Sequence, residues 1–120
     1  MSRSKAREEA FKTLYAREVS GDYSPDNNSD FTRTLVEGTG KHLEEIDNKI
    51  ESQLEDWRLD RVYPVERVLL RLGTYELFWS ETPKPIVIDE AVELAKKYGS
   101  EDSASFVNGI LDNFDGKARQ

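Results

Sequence analysis

Cysteine is absent from the 120 residues, which excludes disulfides, thiolate metal sites and cysteine nucleophiles at once. Histidine is nearly absent: His42 stands alone, leaving a catalytic triad or a transition-metal site little to draw on. There is no long apolar run either, only stretches of a few residues, far short of the roughly 20 that span a bilayer. The opening Met1-Ser2-Arg3-Ser4-Lys5 leads into charged sequence with no apolar segment like that of a signal peptide. A soluble cytoplasmic protein is expected. Glycine-rich phosphate loops and Gly-x-Ser-x-Gly elbows are missing too. No enzyme activity, cofactor or metal is expected.

What the chain has is charge, unevenly placed. Its net charge is −7, which by itself argues against a nucleic-acid partner. Residues 1–20, however, hold five basic side chains (Arg3, Lys5, Arg7, Lys12, Arg17) and three acidic ones (Glu8, Glu9, Glu18). That segment is locally +2 and the remaining hundred residues carry −9. A basic end on an acidic body can mark an RNA-facing surface, although a solvated helix end gives the same pattern.

Helical periodicity dominates, and no segment sustains the two-residue alternation of a strand. From Arg3 to about Ser20, Phe11, Leu14, Tyr15 and Val19 repeat at three- and four-residue spacing. Lys5 and Lys12 fall nearly in line on another face. Gly21 to Ser29 is turn material, with Ser29 or Asp30 a fitting N-cap. Residues 31–57 are expected to form one long helix, because Phe31, Leu35, Thr39, His42, Leu43, Ile46, Ile50, Leu54 and Trp57 share an arc of about 140°. Pro64 suits the first turn of a third helix running to about Ser80, apolar nearly all round and so central. Thr82-Pro83-Lys84-Pro85 predicts an extended connection. A fourth helix is expected from Ile88 to Tyr98, stopped at Gly99. A fifth, capped by Ser100 or Asp102, carries Phe106, Val107, Ile110, Leu111 and Phe114, and its Gly109 invites close approach by another helix. The expected fold is all-α, one compact helical bundle.

His42, at the edge of an apolar stripe, is best explained as structural. Asp89 and Glu90 point about 100° apart and suit a helix N-terminus better than a shared proton. Arg71 and Glu76, inside the apolar third helix, require hydrogen-bonded or charged partners. On periodicity, Phe106 belongs to the core; an exposed base-stacking role is the alternative.

In order, these segments resemble the NusB family from end to end. The N-terminal match is Lys5-Ala6-Arg7-Glu8-Glu9-Ala10-Phe11-Lys12-Thr13-Leu14-Tyr15, and the central one Val68-Leu69-Leu70-Arg71-Leu72-Gly73-Thr74-Tyr75-Glu76-Leu77. The C-terminal match runs from Ile88 to Gly99 and then Ser103 to Asp112, with Phe106-Val107-Asn108-Gly109-Ile110-Leu111 its most specific phrase.

The resemblance implies two packed helical subdomains, about 1–60 and 61–120. It implies a transcription antitermination factor without catalytic activity, paired with the small-subunit ribosomal protein NusE and binding boxA RNA of nascent transcripts, notably those of ribosomal RNA operons. NusA, NusG and RNA polymerase are the further partners implied, and some members self-associate as homodimers. It places Arg3, Lys5, Arg7, Tyr15, Asp102 and Phe106 at RNA, and Glu66 and Tyr75 at the protein partner. Two departures stand out. The N-terminal arginine run of many relatives is reduced to Arg3, Lys5 and Arg7, and the stretch between Val19 and Phe31 is short, with one family helix lost or reduced to a loop around Pro25. Two other readings remain open. One is the similar RNA-binding domain of ribosomal RNA cytosine methyltransferases, disfavoured because the chain ends at Gln120 with no room for a catalytic domain. The other is a helical adaptor that binds proteins alone.

Overall fold

Serine decides where three helices begin. Ser2, Ser29 and Ser100 are extended, and each hydroxyl accepts a hydrogen bond from the backbone N–H three residues on, at Lys5, Thr32 and Ser103. Each cap satisfies a donor that the helix cannot, typically for about 1 kcal/mol. The computed structural model describes residues 2–23, 29–54 and 58–114. They form α1 (Arg3–Ser20), α2 (Asp30–Lys41), α3 (Leu43–Glu51), α4 (Pro64–Trp79), α5 (Lys84–Tyr98) and α6 (Glu101–Asn113), with a 3-10 turn at Leu59–Arg61. Among the described residues there is no strand, and no helix is long and apolar enough to cross a membrane.

α4 is the central element and touches α1, α2, α3, α5 and α6. Its Val68, Leu69, Leu70, Leu72 and Leu77 are all buried, as an all-round apolar helix must be. One continuous apolar cluster runs from Ala10 and Phe11 through these side chains to Val107, Leu111 and Phe114.

Several expectations need correction. The helix expected over 31–57 is two helices, broken where His42 turns aside at φ −106°, ψ 20°, and the second ends at Glu51, leaving Leu54 beyond it. Trp57 lies outside the described residues, as does the Pro25 loop. α5 starts at Lys84, four residues before Ile88, since Pro85 in the first turn lacks an N–H that would have no helical acceptor anyway. Asp89 and Glu90 therefore sit in the second turn. Val19, in the last turn of α1, is 48% exposed. Gly109 meets nothing within 4 Å of where its Cβ would be, so it is not a helix-crossing point.

The close approaches fall at other glycines. A Cβ on Gly73 would lie 2.8 Å from the Leu111 side chain, where α4 crosses α6. On Gly38 it would overlap the Tyr75 ring. That ring cannot retreat easily: it is buried, its centroid 6.0 Å from that of Trp79, which stacks on His42 at 4.4 Å. Gly40, two residues on in the same helix, faces open space. Gly40→Ala should therefore stabilise the protein by about 0.5–1 kcal/mol through helix propensity. Gly38→Ala should destabilise it by about 1–3 kcal/mol through overpacking. Urea denaturation of both variants checks this; equal stabilisation by both would mean that Tyr75 does not seat on Gly38.

Candidate nucleic-acid interface

The register of α1 against α5 decides which candidate side chains face outward. Ser4 and Arg7 both reach Glu90, Glu8 reaches Lys97 and Tyr98, and Phe11 packs against Tyr98, so the two helices run parallel. Arg7 lies on the inner side of this pairing. Its Nε and one terminal nitrogen donate to the two carboxylate oxygens of Glu76 at 2.6 and 2.9 Å, and its other terminal nitrogen donates to Glu90 at 3.1 Å. Burial disfavours the charged guanidinium, but the Glu76 and Glu90 carboxylates outweigh it and raise the Arg7 pKa. Arg7 is 5% exposed and Glu76 2%. The outward-facing position expected of Arg7 is thereby corrected: its donors are engaged inside the protein. Arg71 and Glu76 both have partners, but not each other. Arg71 pairs with Asp47 and Glu18, tying α4 to α3 and α1.

One residue after Arg7, Glu8 organises the surface. Its carboxylate accepts from Lys97 Nζ and from the Tyr98 hydroxyl, both at 2.6 Å, with Lys5 Nζ at 3.7 Å. The Lys97 and Tyr98 hydrogen bonds hold the Glu8 carboxyl down at about 2, although burial opposes them. The same bond pushes Tyr98 up to about 12. Around this anchor three ammonium groups project into solvent: Lys5 and Lys97, and Lys12, which pairs with Glu9 at 3.8 Å. Phe11 packs on Tyr98 with ring centroids 4.9 Å apart and on Tyr15 at 5.6 Å, which leads from Glu8 to the half-buried Tyr15. Directly after Tyr98 and Gly99, α6 presents exposed Asp102 and half-buried Phe106, one turn apart and so on one face. Phe106 packs on the core through part of its ring.

Lys5 and Tyr15 on α1 are thus linked through Glu8, Tyr98 and Phe11, while Asp102 and Phe106 stand on α6, which begins at Glu101, two residues after Gly99. Arg3 stands at the exposed tip of α1, its guanidinium 4.4 Å from the centroid of the Phe31 ring. Lys12 and Lys97 were missed as site residues. Lys12 could have been found from its alignment with Lys5, whereas Lys97 depends on how α1 and α5 pack. Glu66 and Tyr75 do not come together: nine residues apart on α4, they point in nearly opposite directions, and Tyr75 is buried. Among the described residues no group of three His, Asp or Glu could hold a metal ion.

The fold and this surface define a small all-helical protein with a fixed row of cations beside partly exposed aromatic rings. The chain belongs to the NusB family, whose model matches residues 4–116. A transcription antitermination protein NusB from Lysinibacillus sphaericus is 42% identical over 123 residues, covering 95% of this chain and 97% of the relative. The T. maritima NusB structure superposes with a TM-score of 0.83 at 37% identity, over 93% of this chain and 89% of that one. A crystal structure of antitermination factors NusB and NusE in complex with dsRNA aligns with a TM-score of 0.79 at 34% identity, covering 93% and 96% of the two chains.

Because the Glu8 carboxyl is depressed on folding, its contribution to stability is complete above pH 4.5 and is lost as pH falls towards about 2. Unfolding free energies measured across this window should show a loss in the parent protein that Glu8→Gln lacks. Parallel acid limbs for the two proteins would mean that the Lys97–Glu8–Tyr98 cluster does not form.

Proposed function

We propose that the chain is a non-enzymatic, cytoplasmic transcription antitermination factor that binds boxA RNA of nascent transcripts together with NusE. Family membership and the similarity to a NusB–NusE–RNA complex support this reading. The observation that carries it is the group Lys5, Lys12 and Lys97, set around Glu8 and Glu9. Ammonium groups neutralise phosphates and release counterions without reading sequence. An unstacked base can then lie on the exposed part of Phe106, or near Tyr15, for roughly 1–3 kcal/mol each. The acidic remainder of the chain repels RNA elsewhere and so confines it to this face.

The patch is small, and a second protein has to extend it. NusE fills that role in this reading, with Glu66 a contact and Tyr75 acting through the packing of α4, and NusA, NusG and RNA polymerase complete the assembly. The related complex holds double-stranded RNA, and phosphate contacts alone would serve a duplex. Half-exposed rings favour a single strand, because only there are base faces free.

Gel shifts with boxA RNA, a scrambled RNA and a duplex, with and without NusE, test the proposal. boxA RNA should be retained best, and better with NusE; equal retention of the scrambled RNA would contradict it. Lys5→Ala and Lys97→Ala should each weaken binding and lower the slope of log K against log salt by about 0.7. Unchanged affinity and slope in both variants would move the RNA off this face.

A further inference from the structure

Beyond the lysine row, at the tip of α1, lies an open cleft of about 800 Å³ between α1, the start of α2 and the α4–α5 connection. Phe31 forms one wall, half-buried, with the Arg3 guanidinium 4.4 Å and the Arg7 guanidinium 5.2 Å from its centroid. Ile86, 48% exposed, and Thr82 are also part of the lining. Glu81 and Asp89 line it as well, beside the Glu90 carboxylate that Arg7 and Ser4 hold; Glu81 and Asp89 are exposed, and neither has a hydrogen-bond or ion-pair partner among the described residues. Ile86 and Asp89 are three apart on α5 and share a face.

We propose that this cleft takes one unstacked nucleobase, guanine in preference to the others, from a transcript lying along α1. The inference rests on the RNA-binding reading above and adds to it a base-selective site. The stacked Arg3 and Phe31 offer planar surface of the kind on which single-stranded bases settle. The carboxylates of Glu81 and Asp89 only accept hydrogen bonds. Guanine presents two adjacent donors, N1–H and N2–H, that match the two oxygens of one carboxylate. Adenine and cytosine offer a single amino group beside an acceptor. Uracil offers one N–H flanked by two carbonyl oxygens that a carboxylate repels. Two unpaired anions would oppose entry of phosphate, so the backbone stays outside, near Lys5, and the anions contribute discrimination more than affinity. A basic peptide could also satisfy the carboxylates. Arg3 over the ring argues against it, because an incoming cation would meet a like charge there, whereas a neutral base would not.

The route from the lysine row crosses the tip of α1: Ser4, Arg7 and Glu90 line both this cleft and the neighbouring one that takes in Lys5 and Lys97. Arg3 and Tyr15 are twelve residues apart on one helix, about 18 Å along its axis, the reach of several nucleotides.

Fluorescence anisotropy on the full chain with NusE tests the site, using boxA RNA and short oligouridines that carry one guanosine, one inosine or neither. Inosine lacks the N2 amine. The parent protein should bind the guanosine RNA at least about fivefold more tightly than the other two oligouridines. Phe31→Leu should weaken that binding about fivefold or more while unfolding cooperatively. Arg3→Ala, at an exposed position, reports the same stack should Phe31→Leu fail to fold. The double variant Glu81→Ala, Asp89→Ala should lose the guanosine preference while binding the plain oligouridine as well as or better than before; a general charge effect would instead raise all affinities and keep their ratio. No guanosine preference in the parent, or a preference that survives the double variant, overturns the inference while boxA binding leaves the RNA reading intact. The inference is likewise overturned if NusE alone shifts the Phe31 and Ile86 resonances and RNA adds nothing, since the cleft then takes a peptide. Loss of all RNA binding by the parent would overturn the RNA reading itself, and this site with it.

Discussion

The structure depends on one buried ionic cluster, in which the Arg7 guanidinium is gripped by both oxygens of Glu76 and one of Glu90. A charge removed from water is tolerable when its hydrogen bonds are met, and the fork of arginine matches a carboxylate in two places. Because its three members come from α1, α4 and α5, the cluster fixes the N-terminal helix in both rotation and height against the two helices beneath it. Apolar packing alone specifies such a register loosely. An arginine that has to find two particular carboxylates specifies it tightly.

The outer surface follows from that register. With Arg7 turned inward, Glu8 one residue later meets Lys97 and Tyr98, and its low pKa keeps it charged down to strongly acidic conditions. Lys5 and Lys12 come to stand on the solvent side, with Lys97 beside them. Arg3 is carried to the tip and laid over Phe31. A second ionic group performs a similar task at the other end of α1, where Glu18 bridges Arg67 and Arg71, and Arg67 also donates to the carbonyls of Leu59, Asp60 and Val62. Both ends of α1 are thus held by charge and its middle by Ala10 and Phe11.

Much of the fold was legible in the chain because local chemistry announces it. Serine caps, Pro64 and the all-round apolar α4 gave helices close to those observed. The break at His42 stayed hidden because the apolar stripe keeps its phase across it. The early start of α5 stayed hidden because two prolines suggested an extended link where one of them opens a helix. The candidate site was legible in part. Lys5, Asp102 and the partly exposed Phe106 are surface features of single helices, whereas Lys97 joins them only through tertiary packing. Arg7 misled through its type: basic residues near an N-terminus suggest a surface role. Its position held the better signal, since it lies four residues before Phe11 and seven before Leu14, on the apolar stripe itself.

The Arg7 donors are all turned to Glu76 and Glu90, which assigns the residue to holding the fold, and Arg7→Ala measured for both stability and salt-dependent RNA binding tests that assignment. Removing the guanidinium should leave Glu76 buried without its partner and lower the unfolding free energy by about 3–5 kcal/mol, while the protein that remains folded keeps the parent slope of affinity against salt. A variant within about 1 kcal/mol of the parent stability, binding RNA weakly and with a shallower salt slope, would place Arg7 at phosphate and contradict this assignment.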